Sequence, residues 1–569
     1  MTEAPIKPPV KGMNKTAIIA VVIAAIVIVA AVVIVVEERK AVTPTTSSSV
    51  EFYTWWATEG KIALNKVAPE FHNATGLTLS PYVSPGAGGS NAIYAILSLM
   101  EAGKPPATFQ THFGPGMLSY VEAASNGTSS FINMGPVADQ MNLTNNSFPE
   151  VVEAGTFNGT MLSLPVDLHQ GAQLYFNPNF LAKYHQPMPT NMKQLVSVTE
   201  NLTARHVTAW IIPGGDGGWD QLNVWEDIFL SVAGNTMYDQ MMYGDIANSQ
   251  MPAFLSDFNT TNNYFSIFWN DSLSGESSMT WTQAIPYVTN GTVGFQVNGN
   301  WYTNYAYDYA NATNYPATAP YDNNITVANY SAHKAVTVNG NNITLMSEDF
   351  PGTSNYYVMI TDSVAVPTGP NQANGLTFAK YFASFSGNKV FAQYKATSFY
   401  KNETNDIYNT PAQYYSHQQA AATPASNWVY QLSDGGLFAG PLASAESAMT
   451  SFSETFHNGS GAATYEAASS VLDKAMISME SSEEADWEAA NALGLGYMGS
   501  PGHVFGGYLP TWANTSANNT ASSYGLVKAD GAHANSPVQS DATQYIYVSP
   551  FTLSYLENMV ATGITNIKS

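Results

Sequence analysis

Between residues 50 and 112 two periodicities alternate, and that alternation restricts the fold more than any other feature of the chain. Val50, Phe52 and Thr54 repeat every second residue, as in a strand, and from Lys61 onward Ile62, Leu64, Val67 and Phe71 recur at helical spacing. Residues 77–83 read as a second strand. A glycine-rich turn over 85–89 follows, then a helix over 90–102 with Ile93, Ile96, Leu97 and Met100 on one face. Lys104-Pro105-Pro106 stops that helix, and 107–112 reads as a third strand. Strands and helices alternating in this way predict an α/β fold with a parallel sheet covered by helices. In such sheets ligands bind beyond the carboxyl ends of the strands.

The residues at those ends are distinctive. Trp55 and Trp56, followed by Glu59, sit where the first strand hands over to a helix, and Gln110 and His112 close the third strand. Flat aromatic faces beside a carboxylate suit a sugar, whose C–H faces are ringed by hydroxyls. The competing reading is that one or both indoles are core residues, since buried Trp is common.

Residues 17–36 are all Ala, Ile or Val. About twenty such residues span a bilayer as a helix, and a helix apolar on every side does not fit a soluble surface. Lys7, Lys11 and Lys15 precede the run, while Glu37, Glu38, Arg39 and Lys40 follow with no net charge. The positive-inside rule then puts everything after residue 40 outside the cell. Residues 10–15 resemble the pilin-like signals of archaeal surface proteins, which implies a leader of 1–12 cut after Gly12 and an anchor helix over 13–40. An uncut signal anchor gives the same topology. Residues 41–50, rich in Ser and Thr, read as a tether.

Roughly 520 residues remain outside the membrane, enough for two lobes with separate cores. The absence of cysteine excludes disulfides and thiolate chemistry. The net charge of −23 argues against nucleic-acid binding, which needs a basic footprint. About seventeen Asn-x-Ser/Thr sequons, among them Asn73, Asn142, Asn201 and Asn290, agree with an extracellular address. Few lysines and many neutral polar residues also suit an acidic habitat.

Further along, 159–169 reads as a strand ending at His169, and 178–290 is helix-rich and carries Trp210, Trp219, Trp225, Trp269 and Trp281. Of these, Trp225 and Trp281 are expected in the core. A loop over 214–219 presents Asp216 and Trp219, with Asp216 between glycines also explicable as a turn former. Residues 294–301 return to strand character and end at Asn300 and Trp301. Residues 311–350 read as surface excursions, 356–367 as one strand, 371–386 as a helix and 462–479 as a closing helix. The glycine-rich turn lacks the ending of a phosphate loop, and the chain has no His-Glu-x-x-His and no Gly-x-Ser-x-Gly. A glycoside hydrolase would need a carboxylate pair across the scissile bond. Glu59, Asp167 and Asp216 are candidates, but no spacing marks a pair.

Taken in order, the segments 52–60, 85–92, 102–114, 164–177, 214–219 and 297–305 resemble the solute-binding proteins of sugar ABC transporters, the glucose-binding branch with tethered archaeal members above all. The resemblance implies a two-lobed, periplasmic-binding-protein-like fold of the Venus flytrap, maltose-binding-protein-like type behind an N-terminal transmembrane helix. Lobe 1 would comprise about 51–165 and 300–370, and lobe 2 about 170–295 and part of 371–480, with 481–569 as an extension. It implies a sugar-binding subunit, not an enzyme, that needs no cofactor or metal and docks on ABC permease subunits. The implied ligand-binding positions are Trp55, Trp56, Glu59, Gln110, His112, His169, Asp216, Trp219, Asn300, Trp301 and Lys395. Where the family often has Gly-Asp-Trp, this chain has Gly299-Asn300-Trp301. A histidine that glucose binders carry later is replaced in the 435–441 region. An extracellular carbohydrate-active enzyme and a structural surface protein are the alternative readings.

Overall fold

The computed structural model describes residues 48–86, 89–124, 131–157, 159–242, 250–306, 327–329, 345–457, 526–528 and 545–547. The leader, the apolar run, most of the tether, the helix expected over 462–479 and most of 481–569 lie outside the described residues. Among the described residues no helix is long and apolar enough to cross a membrane.

In chain order the elements that build the cleft are β1 (Ser49–Thr54), α1 (Thr58–Thr75), β2 (Thr78–Val83), α2 (Ser90–Glu101), β3 (Phe109–His112), β4 (Ser163–Pro165), β5 (His169–Gln170) and β6 (Gln173–Phe176). They continue as α3 (Trp219–Met242), α4 (Met251–Asn270), α5 (Trp281–Thr289), β7 (Phe295–Asn298), β8 (Leu345–Asp349), β9 (Tyr357–Ile360), β10 (Asp362–Ala365), α6 (Gln372–Ala383), α7 (Phe385–Tyr394), β11 (Trp428–Tyr430) and α8 (Ala439–His457). Local chemistry sets several boundaries. Gly76 ends α1 in the left-handed region, donating its N–H to His72 O. Thr280 and Gln283 form a reciprocal capping box at the start of α5.

These elements form three of the five sheets among the described residues, the other two being two-stranded ribbons. The first has the order β2-β1-β3-β10-β4, with β1 parallel to β2 and β3, and β10 antiparallel to β3 and β4. Its β1 alternates as expected, with Val50, Phe52 and Thr54 buried and α6 packed on the strand. Phe52, Trp56, Phe378, Phe382 and Phe391 form an aromatic core there, with ring centroids 4.6 to 6.4 Å apart. The second sheet joins the short strand Val327–Asn329 to β8, β6 and β7. It packs with α3 and α5, and α4 and α8 lie on α3. In a small third sheet, β11-β9-β5, the strands β5 and β9 lie in sequence between strands of the first two sheets.

Two readings of the sequence change here. The single strand expected over 356–367 is two strands, β9 in the third sheet and β10 in the first, separated by Thr361. The strand expected over 159–169 is likewise broken into short pieces, of which β4 and β5 belong to different sheets. In 159–169 Val166 and Leu168 carry the apolar pattern through the break, whereas in 356–367 the break coincides with the polar Thr361-Asp362-Ser363. In addition, β8 arises within the segment read as surface excursion and pairs with β6 of the second sheet.

Candidate functional site

The breaks at 165–169 and 360–362 bring their polar residues together. Asp167 Oδ1 accepts the backbone N–H of Asp362 at 2.7 Å, and Leu168 and Thr397 exchange backbone hydrogen bonds of 2.9 and 3.1 Å. Beside them lies a cavity of about 360 Å³, at the small end of the roughly 300–1,000 Å³ range of small-molecule pockets.

Its polar floor is an ordered network. Asn300 Nδ2 donates to Thr397 Oγ1 (2.8 Å), which turns Asn300 Oδ1 toward His169 Nδ1 (2.8 Å) and makes that nitrogen the donor. His169 Nε2 is then left as an acceptor in the neutral ring. Lys395 Nζ lies 3.3 Å from it and Asp167 Oδ2 3.1 Å. Burial holds His169 down to about 3, so the ring is neutral, and lifts Asp167 to about 6 despite Lys395 nearby. A protonated Asp167 can donate to the same lone pair. Asp167, His169 and Asp362 place ligand atoms within 4.8 Å of one another, the spacing of a metal site. The Lys395 ammonium already faces the His169 nitrogen that a metal would need, so a cationic side chain stands in that role.

The next group is His112, whose ring lies 5.0 Å from that of Trp55. Its Nε2 is 3.8 Å from Asp362 Oδ1 and 3.6 Å from Asp434 Oδ1. Burial lowers His112 to about 4 and raises Asp362 to about 6. Asp434 sits in the tight turn Leu432–Gly436 and accepts Trp219 Nε1 at 3.1 Å. Glu226 of α3 clamps that turn, accepting from Leu432 N (2.7 Å), Gln431 Nε2 (2.9 Å) and Ser433 Oγ.

Aromatic walls rise from both sides. Trp55, half-buried, packs its ring over Gly89, where φ is +108° and a Cβ would fall 2.9 Å from the indole. Only glycine satisfies both conditions there. Opposite, Trp219 and Trp301 lie 6.1 Å apart at 34°, and Lys395 Nζ is 5.6 Å from the Trp301 ring centre. Trp281 and Tyr305, 4.5 Å apart, complete the rim. Asp216 also faces the cavity, with Oδ2 accepting Trp281 N at 2.9 Å.

Of the residues singled out in the sequence, Trp55, Trp56, His112, His169, Asp216, Trp219, Trp301 and Lys395 line this cavity. Trp56 does so with its edge only. It is 2% exposed, packs among phenylalanines and donates Nε1 to Asp362 Oδ2 at 3.2 Å. Gln110 and Asn300 stand behind the wall rather than in it. Gln110 Oε1 accepts Thr54 Oγ1 and the Trp55 N–H (3.3 Å), fixing the turn that presents Trp55, and Asn300 orients His169. The Glu59 side chain lies outside the described residues. Trp225 is core as expected, with Nε1 on Asn262 at 2.7 Å, whereas Trp281, also expected in the core, is half-exposed on the cavity rim. Asp362, Asp434 and Tyr305 were not anticipated. Asp362 opens a strand that was read as the middle of a single one, and Asp434 lies in a turn with no motif.

Comparison with known proteins agrees with this geometry. Residues 57–344 match the family model of bacterial extracellular solute-binding proteins. The chain is 42% identical over 488 residues to the glucose-binding protein GlcS of Saccharolobus solfataricus, covering 86% of this chain and 82% of that one. An uncharacterized ABC transporter extracellular-binding protein of Pyrococcus horikoshii is 26% identical over 263 residues, 45% of this chain and 56% of its own length. Among solved structures, the solute receptor AcbH, described as having an exclusive preference for β-D-galactopyranose, matches with a TM-score of 0.55 at 13% identity, over 75% of this chain and 97% of that one. Maltose-bound T. maritima MalE3 matches with a TM-score of 0.52 at 12% identity, over 75% and 98%. At those identities the structural matches establish a two-lobed α/β fold.

Proposed function

Because this chain belongs to the family of extracellular solute-binding proteins, we propose that its cleft captures glucose or a closely related pyranose outside the cell. The chain is the substrate-binding subunit of an ABC sugar importer and not an enzyme. The observation that carries the sugar reading is the pairing of indole walls (Trp55, Trp219, Trp281, Trp301) with a hydrogen-bonded polar floor (His112, His169, Asp362, Lys395) around a space the size of a small sugar. Indole faces cover C–H surfaces, and the floor offers partners to hydroxyls that would each cost about 1–3 kcal/mol if buried unpaired. Asp216 adds a carboxylate at the rim. Gln110 and Asn300 act by positioning Trp55 and His169, and Glu59 remains a candidate ligand from the first turn of α1.

In this reading 51–165 forms one lobe and 170–295 the other, as expected, but the return at 362–383 joins the first, and 345–349, expected with the first, joins the second because it pairs with β6. Residues 13–40 anchor the protein through a single membrane-spanning helix after removal of 1–12. The tether keeps the binder near its permease at high effective concentration. The sequon residues Asn73, Asn142, Asn201 and Asn290 are exposed and open to glycosylation.

Calorimetry of the full chain in detergent against glucose, galactose, mannose, xylose and maltose tests the sugar. Binding of at least one monosaccharide without turnover is expected, and silence across the panel defeats the reading. N-terminal sequencing of the membrane fraction should begin at Met13.

A further inference from the structure

Asp362 is buried to 3% exposure on the cavity floor, yet only half of its carboxylate is engaged. Its backbone N–H is held by Asp167 and its Oδ2 by Trp56 Nε1 at 3.2 Å. These contacts fix the side chain and leave Oδ1 without a hydrogen-bond partner. Facing Oδ1 is His112 Nε2 at 3.8 Å, too long for a direct hydrogen bond. An oxygen beside the pair, about 2.8 Å from each, would donate to Asp362 Oδ1 and keep lone pairs for a proton on His112 Nε2. A hydroxyl has that combination of one donor and spare lone pairs.

We propose that Asp362 Oδ1 and His112 Nε2 together read one hydroxyl of the bound pyranose, with Asp362 as the specificity-determining acceptor. The inference rests on the sugar-binding reading above. Trp56 is then a positioning residue: its indole N–H aims the carboxylate rather than stacking on the sugar. A site built around a buried acceptor rejects an analogue lacking the matching hydroxyl, because the acceptor is left unpaired.

The test is calorimetry of the full chain in detergent with glucose and its monodeoxy and monofluoro analogues. Removal of one hydroxyl should weaken binding by about 30-fold or more. Asp362→Asn should lose a similar factor for glucose yet bind that one deoxy analogue as well as the unmodified protein does. Asp362→Ser, a smaller side chain, should give the same pattern, and near-ultraviolet circular dichroism reports whether each variant is folded. A deoxy series in which no analogue loses more than about threefold on the unmodified protein overturns the inference even if neither variant folds. Equal loss for every analogue in Asp362→Asn overturns it too, since that marks a purely structural residue. If glucose binds but the series is flat, this inference alone fails. If no sugar binds, the sugar reading fails with it.

Discussion

At the scale of single residues, the two adjacent tryptophans separate by role. Trp55 faces the cavity over Gly89, whereas Trp56 is wedged among Phe52, Phe382 and Phe391. Trp55→Ala should weaken sugar binding by more than about tenfold with little change in folding stability. Trp56→Ala should cost about 3–5 kcal/mol of stability through the cavity it leaves. Urea unfolding and calorimetry on both variants check this, and matching profiles would contradict the assignment. Trp55 was legible because strand periodicity places it at a sheet edge. The burial of its neighbour depends on phenylalanines more than three hundred residues away, and no local pattern reveals that. The same holds for Asn300. Its sequence neighbourhood suggests a sugar contact, but its bonds to Thr397 and His169 use both ends of the amide.

Among the elements, the first three strands and their helices follow from the sequence, because strand and helix periods alternate there and β1, which alternates buried and half-buried, pairs with both β2 and β3. The 357–365 run was read as a single strand although the polar Thr361-Asp362-Ser363 interrupts it, because both halves are fully buried and nothing local says that they enter different sheets. The loop before α3 shows a tighter constraint. Gly218 has φ of +103°, and a Cβ there would lie 2.1 Å from the carbonyl oxygen of Glu446 on α8. Gly218→Ala should therefore destabilise the protein by about 2–3 kcal/mol and lower sugar affinity by shifting Trp219 at the start of α3. Thermal unfolding with and without sugar measures both. The neighbouring link between α2 and α8 is Ser90 Oγ donating to Glu446 Oε1 at 2.9 Å.

Across the whole molecule, buried carboxyls set the response to pH. Burial raises Glu446 to about 8, Glu226 and Asp349 to about 7, and Asp167 and Asp362 to about 6, with Asp220, Asp227, Asp239 and Asp434 raised well above their ordinary value. The folded state holds protons on these groups where the unfolded chain has released them. Their stabilising contribution is complete below about pH 4 and is lost as the pH climbs through 6 to 8. His112 and His169, lowered by burial, act in the opposite sense below 6.5, but they are outnumbered. The melting temperature should be higher at pH 5 than at pH 8 by scanning calorimetry, and the reverse order would refute this account. The acidic habitat suggested by composition is in keeping with that direction. Hydrogen bonds tie the breaks at 165–169 and 360–362 to each other. If the lobes rotate about these passages, Asp167, His169 and Asp362 sit near the fulcrum and sweep through almost no arc, while Trp219 and Trp281 travel with the far rim. A sugar would meet a finished floor in the open molecule and gain its indole ceiling only on closure, so the hydroxyl pattern is inspected before the cleft shuts.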